Sequence, residues 1–152
     1  MLQRTGSFYY LEALCPDFAP NPRGHWMCTS FTDRVACCLD QLATIERFTG
    51  ASPPVPTMIK AQAAEEGPYF DFLLGAFLVV ASERSYVSLG KGFYGPNTSF
   101  PWFDAYDRPL GRPLGPLAVH SRAQGVFTRS FEHLDVAVNV SNWSATLTPR
   151  IP

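Results

Sequence analysis

The chain has 152 residues, of which 46% are hydrophobic and 16% charged, so it has enough apolar content to fold around one core. The formal net charge is −1, and no run of Lys or Arg is present, which argues against nucleic acid as a partner. The longest apolar run, 70–81, is too short to cross a bilayer, so the sequence does not predict a membrane protein.

Three short apolar segments in the first 90 residues are typical of buried parallel strands. They are Phe8–Leu11, Met58–Ala61 and Tyr86–Leu89.

Two helical patterns separate these strand segments. Hydrophobic residues recur at helical spacing in Val35–Phe48, with Thr32 or Asp33 as an N-cap and Gly50 as a stop. The second pattern, Tyr69–Glu83, is apolar nearly all round, which predicts a helix covered on most sides. Alternation of strand and helix predicts a parallel sheet with crossover helices.

The pattern changes after residue 89. Residues 90–116 form a Gly- and Pro-rich loop with a tandem Arg-Pro-Leu-Gly, and three alternating segments then predict a small antiparallel meander. We therefore expect a first unit at 1–116 and a β tail at 117–152. Arg129 and Glu132 in this tail are expected to form a surface ion pair.

Four segments in this order carry a resemblance to a known family: FYYLEAL, DFLLGAFLVVASERSY, WFDAYDRPLGRPLGP and FTRSFEHLDVAVNVS. Together they resemble glycoside hydrolases built on a (β/α)8 barrel, over roughly residues 8–141. The chain departs from that pattern at His133-Leu134-Asp135, where a glycine turn would be expected. A closed barrel usually takes about 250 residues. The resemblance therefore implies an α/β fold consisting of the last strands and helices of a partial (β/α)8 barrel, the C-terminal portion of such an enzyme.

Glycoside hydrolysis normally needs two carboxyl groups beside the scissile bond. Glu12 is the first candidate, because it lies near the end of a predicted strand, where barrel active sites are found. Asp104 and Asp107, on the loop after the last parallel strand, are candidate partners. The alternative for Glu12 is a structural ion pair with an arginine.

Four further residues are candidates for binding substrate. Trp102, Phe103 and Tyr106 flank the two aspartates, and aromatic faces suit the C–H faces of sugar rings. Lys60, near the end of its strand, would hold Glu12 ionised. The alternative is that the aromatic rings pack the loop onto the rest of the fold.

The four cysteines, Cys15, Cys28, Cys37 and Cys38, fit no zinc-binding spacing, and the three histidines are far apart, so no metal and no other cofactor is predicted. Buried free thiols, or a disulfide between Cys15 and Cys28, are the two interpretations. No signal peptide is visible, whereas three N-glycosylation sequons would suit a secreted protein.

The sequence thus predicts a glycoside-hydrolase-like protein that acts on or binds a carbohydrate and is incomplete in this chain. Activity would require a second carboxylate from a part of the protein not present here. The alternatives are a non-catalytic carbohydrate-binding or scaffold fragment, and an incomplete product with no role of its own. An exposed sheet edge would also favour self-association.

Overall fold

The computed structural model describes residues 8–15, 33–63, 65–91 and 99–150. Its first half contains strands β1 (Tyr9–Leu11), β2 (Thr57–Gln62) and β3 (Ser85–Gly90). They form one sheet in the order β1-β2-β3, and both neighbouring pairs are parallel. The three segments that the sequence marks as strands therefore pair in the predicted direction.

The helices α1 (Arg34–Thr49) and α2 (Pro68–Val80) connect these strands. The Asp33 side chain accepts a hydrogen bond from the backbone amide of Val35, so Asp33 is the one of the two N-cap candidates that caps α1. Helix α2 begins with Pro68 and ends at Val80, three residues before the predicted end at Glu83. Among the described residues, no helix combines the length and apolarity needed to cross a bilayer.

The second half forms an antiparallel sheet. Its strands are β4 (Ala118–Ser121), β5 (Val126–Ser130), β6 (Leu134–Asn139) and β7 (Ser144–Pro149), paired in chain order. The predicted antiparallel meander is therefore present, with a fourth strand at its start. Every second residue of β6 is buried, which turns one face of the sheet toward the core.

Helix α2 packs against α1 and against the antiparallel sheet. A Cβ atom at Gly75 would lie 2.8 Å from Cβ of Ala145 and 3.1 Å from Cγ2 of Val138, so the helix backbone approaches β6 and β7 closely. One hydrophobic cluster runs from these strands through α2 to Ile59 and Leu89 of the parallel sheet. The all-round apolar surface of α2 is explained by this burial on several sides.

The prediction of a partial (β/α)8 barrel is wrong. The described residues form a small mixed α/β domain with three parallel and four antiparallel strands and two helices. A barrel requires further parallel strands beside β3 and helices only on its outer side. Here the amide of Leu89 on the outer edge of β3 donates to the Tyr106 hydroxyl at 3.1 Å, and the strands that follow pair with one another.

Arg129 on β5 does not form the predicted surface pair with Glu132. Its Nη1 donates to the carbonyls of Leu78 and Val79 in the last turn of α2 and to that of Ala81 just after the helix. Burial lowers the pKa of the Arg129 guanidinium. Such a cation complements the negative end of the helix dipole. The Glu132 carboxylate instead accepts a hydrogen bond from a backbone amide in the Arg-Pro-Leu-Gly loop, which attaches that loop to the β5–β6 hairpin.

Candidate functional site at the carboxyl end of the parallel sheet

Glu12 directly follows β1, at the carboxyl end of that strand. The amide of Leu14 donates to the Lys60 carbonyl at 3.1 Å, so the segment stays beside β2 after the strand ends. Partial burial raises the pKa of the Tyr10 hydroxyl, and the charge of the Glu12 carboxylate raises it further. Glu12 and Lys60 therefore lie on adjacent segments at one end of the sheet, as the sequence predicts.

A buried glutamine of α1 fixes this segment. Gln41 Oε1 accepts a hydrogen bond from the amide of Cys15 at 2.7 Å, and its Nε2 donates to the carbonyl of Ala13 at 2.9 Å. The Tyr69 hydroxyl donates to the Cys15 carbonyl at 3.0 Å. Because both ends of the Gln41 amide bind backbone, the chain just after Glu12 has a defined path.

Both predictions for the cysteines, free thiols and a disulfide between Cys15 and Cys28, are wrong. Cys15 forms a disulfide with Cys38 of α1, and Cys37 is disulfide-bonded as well. No cysteine in the part of the chain that the structure describes is a free thiol, and Cys28 lies outside that part. The pairing was not predictable from spacing, because it depends on how β1 packs against α1. It ties the Glu12 segment covalently to the first helix.

Lys60 lies on β2 with its ammonium over the Phe100 ring, 4.7 Å from the ring centroid. Phe100 reaches this position because residue 90 is glycine. A Cβ atom there would collide with the carbonyl oxygen of Ser99 and lie 2.8 Å from Cδ1 of Phe100. The chain that returns after β3 therefore places an aromatic ring at the carboxyl end of the sheet, beside the candidate Lys60.

The loop that contains Asp104 and Asp107 is attached to the same end of the sheet. Its short 3₁₀ helix spans Asp104–Asp107, and the Tyr106 hydroxyl in this helix accepts the hydrogen bond from Leu89. Burial raises the pKa of Tyr106, and the hydrogen bond from Leu89 acts in the opposite direction. The amide of Ala105 donates to Glu66 Oε1 at 3.0 Å, which connects the loop to the β2–α2 connection.

Trp102 is the most exposed large hydrophobic residue of this loop, at 73%. Its indole Nε1 donates to Asp107 Oδ2 at 3.0 Å, and its ring makes an edge contact with Tyr106 at 5.3 Å between centroids. An exposed indole held by two neighbours keeps its orientation while its face remains open. Asp104, also exposed, begins the 3₁₀ helix.

Phe103 has a different environment from the other candidates. Only 6% of its surface is exposed, and its ring packs against Phe70 of α2 at 4.6 Å between centroids. It anchors the loop in the core, so its ring faces are covered.

The sequence did not predict a role for three residues that build this end of the sheet: Gln41, Glu66 and Phe100. Gln41 had a detectable signal, because it is a polar residue within the buried side of α1, between Cys38 and Leu42. The positions of Glu66 and Phe100 depend on contacts between distant segments, for which the sequence has no local signal.

The described residues thus form a small mixed α/β domain in which acidic and aromatic side chains gather at the carboxyl ends of parallel strands. The family model of hypothetical glycosyl hydrolase family 15 matches residues 51–135, more than half of the chain. The chain belongs to this family. No curated protein matches it. The matched range includes Lys60 and the loop with Trp102, whereas Glu12 lies before it.

Proposed function

We propose that the carboxyl end of the parallel sheet binds a carbohydrate and acts on it as a glycoside hydrolase. The observation that carries this proposal is the Trp102 indole, exposed and held by Asp107 and Tyr106 within the range matched by the family. An open aromatic face beside carboxylates suits a sugar, whose C–H face packs on the ring while its hydroxyls donate to the acids.

The three carboxylates have different roles in this proposal. One oxygen of Asp107 accepts the indole hydrogen bond, so Asp107 positions Trp102. Glu12 and Asp104 are the pair that flanks the scissile bond, one as general acid and the other as nucleophile or base. Lys60 and Tyr106 complete the contacts to substrate, and Phe103 contributes only by anchoring the loop.

A non-catalytic carbohydrate-binding protein is the second candidate. It is favoured by the position of Glu12 outside the matched range, whereas the aromatic loop lies inside it. The two functions share Trp102 and differ in their need for two carboxylates.

The test combines hydrolysis of a panel of aryl glycosides and oligosaccharides with calorimetric binding. Glu12→Gln and Asp104→Asn should each lower kcat about a hundredfold or more, whereas Trp102→Ala should mainly raise KM. Asp135→Asn is the matched control, because this carboxylate pairs with Arg150 on the antiparallel sheet. Binding without hydrolysis would support the second candidate. If the panel were neither bound nor hydrolysed, the carbohydrate proposal would be overturned.

A further inference from the structure

The parallel sheet has an open face as well as a covered one. Tyr10, Met58 and Tyr86 are direct neighbours across the three strands, because Tyr10 pairs in register with Met58 and Met58 with Tyr86. They are 46%, 47% and 63% exposed, although all three are large and apolar. The next residues along β1 and β2, Leu11 and Ile59, point to the other side and are buried.

The composition of this row differs from that of the covered face. Leu11 and Ile59 are aliphatic, whereas two of the three side chains in the row are tyrosines, which combine a flat apolar ring with a hydroxyl. No charged residue belongs to the row. Among the described residues, Glu12 and Lys60 lie two positions further along β1 and β2, toward the carboxyl end, and Arg84 lies two positions before Tyr86, at the amino end of β3. A ligand lying on the row therefore contacts uncharged side chains and meets charges only beyond its two sides.

The dimensions of the row also restrict the ligand. Neighbouring strands lie about 4.8 Å apart, so the backbones of Tyr10 and Tyr86 are separated by roughly 10 Å, a span that suits consecutive sugar rings better than a single ring. The exposed row consists of three side chains, whereas a specific protein–protein interface buries about 800 Å² per partner, so the row suits a linear sugar chain better than a second copy.

We infer that the row Tyr10–Met58–Tyr86 binds an uncharged oligosaccharide chain that lies across the strands and continues into the site at their carboxyl ends. This inference rests on the proposed function and deepens it, because it assigns the substrate class: neutral chains of several sugar units. Each tyrosine ring packs on one sugar face, and Met58 fills the space between them.

The experiment measures calorimetric affinities for neutral hexasaccharides, namely cellohexaose, maltohexaose, xylohexaose and mannohexaose, and for the corresponding disaccharides. At least one hexasaccharide should bind more tightly than its disaccharide. Tyr10→Ser and Tyr86→Ser should each weaken hexasaccharide binding about tenfold and leave disaccharide binding unchanged. Tyr86→Phe, which keeps the ring, should retain the affinity. Leu114→Ser is the control, since Leu114 is equally exposed, at 56%, but lies on the Arg-Pro-Leu-Gly loop.

Several results would overturn the inference. Unchanged hexasaccharide affinity in both serine variants would remove the row from the site, while disaccharide binding sensitive to Trp102→Ala would leave the proposed function intact. Equal affinity for oligogalacturonate would contradict the uncharged ligand. A change from oligomer to monomer in Tyr86→Ser, measured by light scattering, with unaltered sugar affinity, would assign the row to self-association. Absence of binding by every sugar would overturn this inference and the proposed function together.

Discussion

Gly75 is the point at which the packing of α2 against the antiparallel sheet can be tested most directly. A mid-helix glycine costs about 1 kcal/mol relative to alanine, so Gly75→Ala gains that amount if the helix is considered alone. In the folded chain the new Cβ would lie 2.8 Å from Cβ of Ala145 and 3.1 Å from Cγ2 of Val138. Overpacking of a filled core costs about 1–3 kcal/mol, and two contacts this short belong in the upper part of that range.

We therefore expect Gly75→Ala to lower the free energy of unfolding by about 1–2 kcal/mol. The measurement is the urea midpoint at constant m-value. Gly115→Ala is the control, since nothing lies within 4 Å of a Cβ atom at that position, and it should change stability by less than about 0.5 kcal/mol.

The double variant Gly75→Ala with Ala145→Gly tests the named contact. Removal of the Ala145 methyl group should relieve about 1 kcal/mol of the destabilisation that Gly75→Ala causes. A double-mutant cycle would measure this relief as the coupling energy between the two positions. A more stable Gly75→Ala variant, or a coupling energy of zero, would show that α2 does not pack on β7 as described.

Three further predictions concern the contacts that hold the fold together. Arg129→Met should destabilise the protein by about 2 kcal/mol, because three carbonyls at the end of α2 lose their donor. The control is Arg150→Met, which removes an exposed ion pair and should lower the free energy of unfolding by less than about 1 kcal/mol in the same urea titration. Replacement of Cys15 and Cys38 by alanine should cost about 3 kcal/mol, and a reducing agent should lower the thermal midpoint of the parent protein while leaving the double variant less affected. Because the folded state raises the pKa of Tyr106, its contribution to stability is complete below pH 10.0 and is lost as the pH rises through the raised value. The decline of the urea midpoint above about pH 9 should therefore be shallower in Tyr106→Phe, and an equal slope in both proteins would contradict this role.

The disulfides also bear on the compartment. Disulfide bonds persist mainly in oxidising environments, and Cys15 and Cys38 are bonded to each other near the candidate site. A secreted location, which the three sequons would suit, stays a prediction. Asn142 of one sequon is exposed, whereas a side-chain oxygen of Asn139 in another is buried.

The candidate site was partly predictable. The rule that ligand-facing groups gather at the carboxyl ends of parallel strands predicted that Glu12, Lys60 and the Trp102 loop share one end of the sheet. The sequence does not show which of Trp102 and Phe103 is buried, because the two residues are adjacent and both are aromatic. Only the contact of Phe103 with Phe70 distinguishes the buried anchor from the exposed ring.

The sequence by itself determined the elements and the direction in which they pair. Helical spacing, the Asp33 cap and the proline before α2 are local features, and strand–helix–strand order makes the parallel arrangement the favoured one. The tertiary structure alone decided that three strands form the described part of the parallel sheet, that α2 packs against a second sheet, and that Cys15 pairs with Cys38. The physical reason is that a β-α-β-α-β pattern satisfies its own local hydrogen bonds equally well in a barrel and in an open sheet. What lies beside the edge of β3 is set by long-range contacts, here the Tyr106 hydroxyl on the Leu89 amide, and no local pattern encodes them.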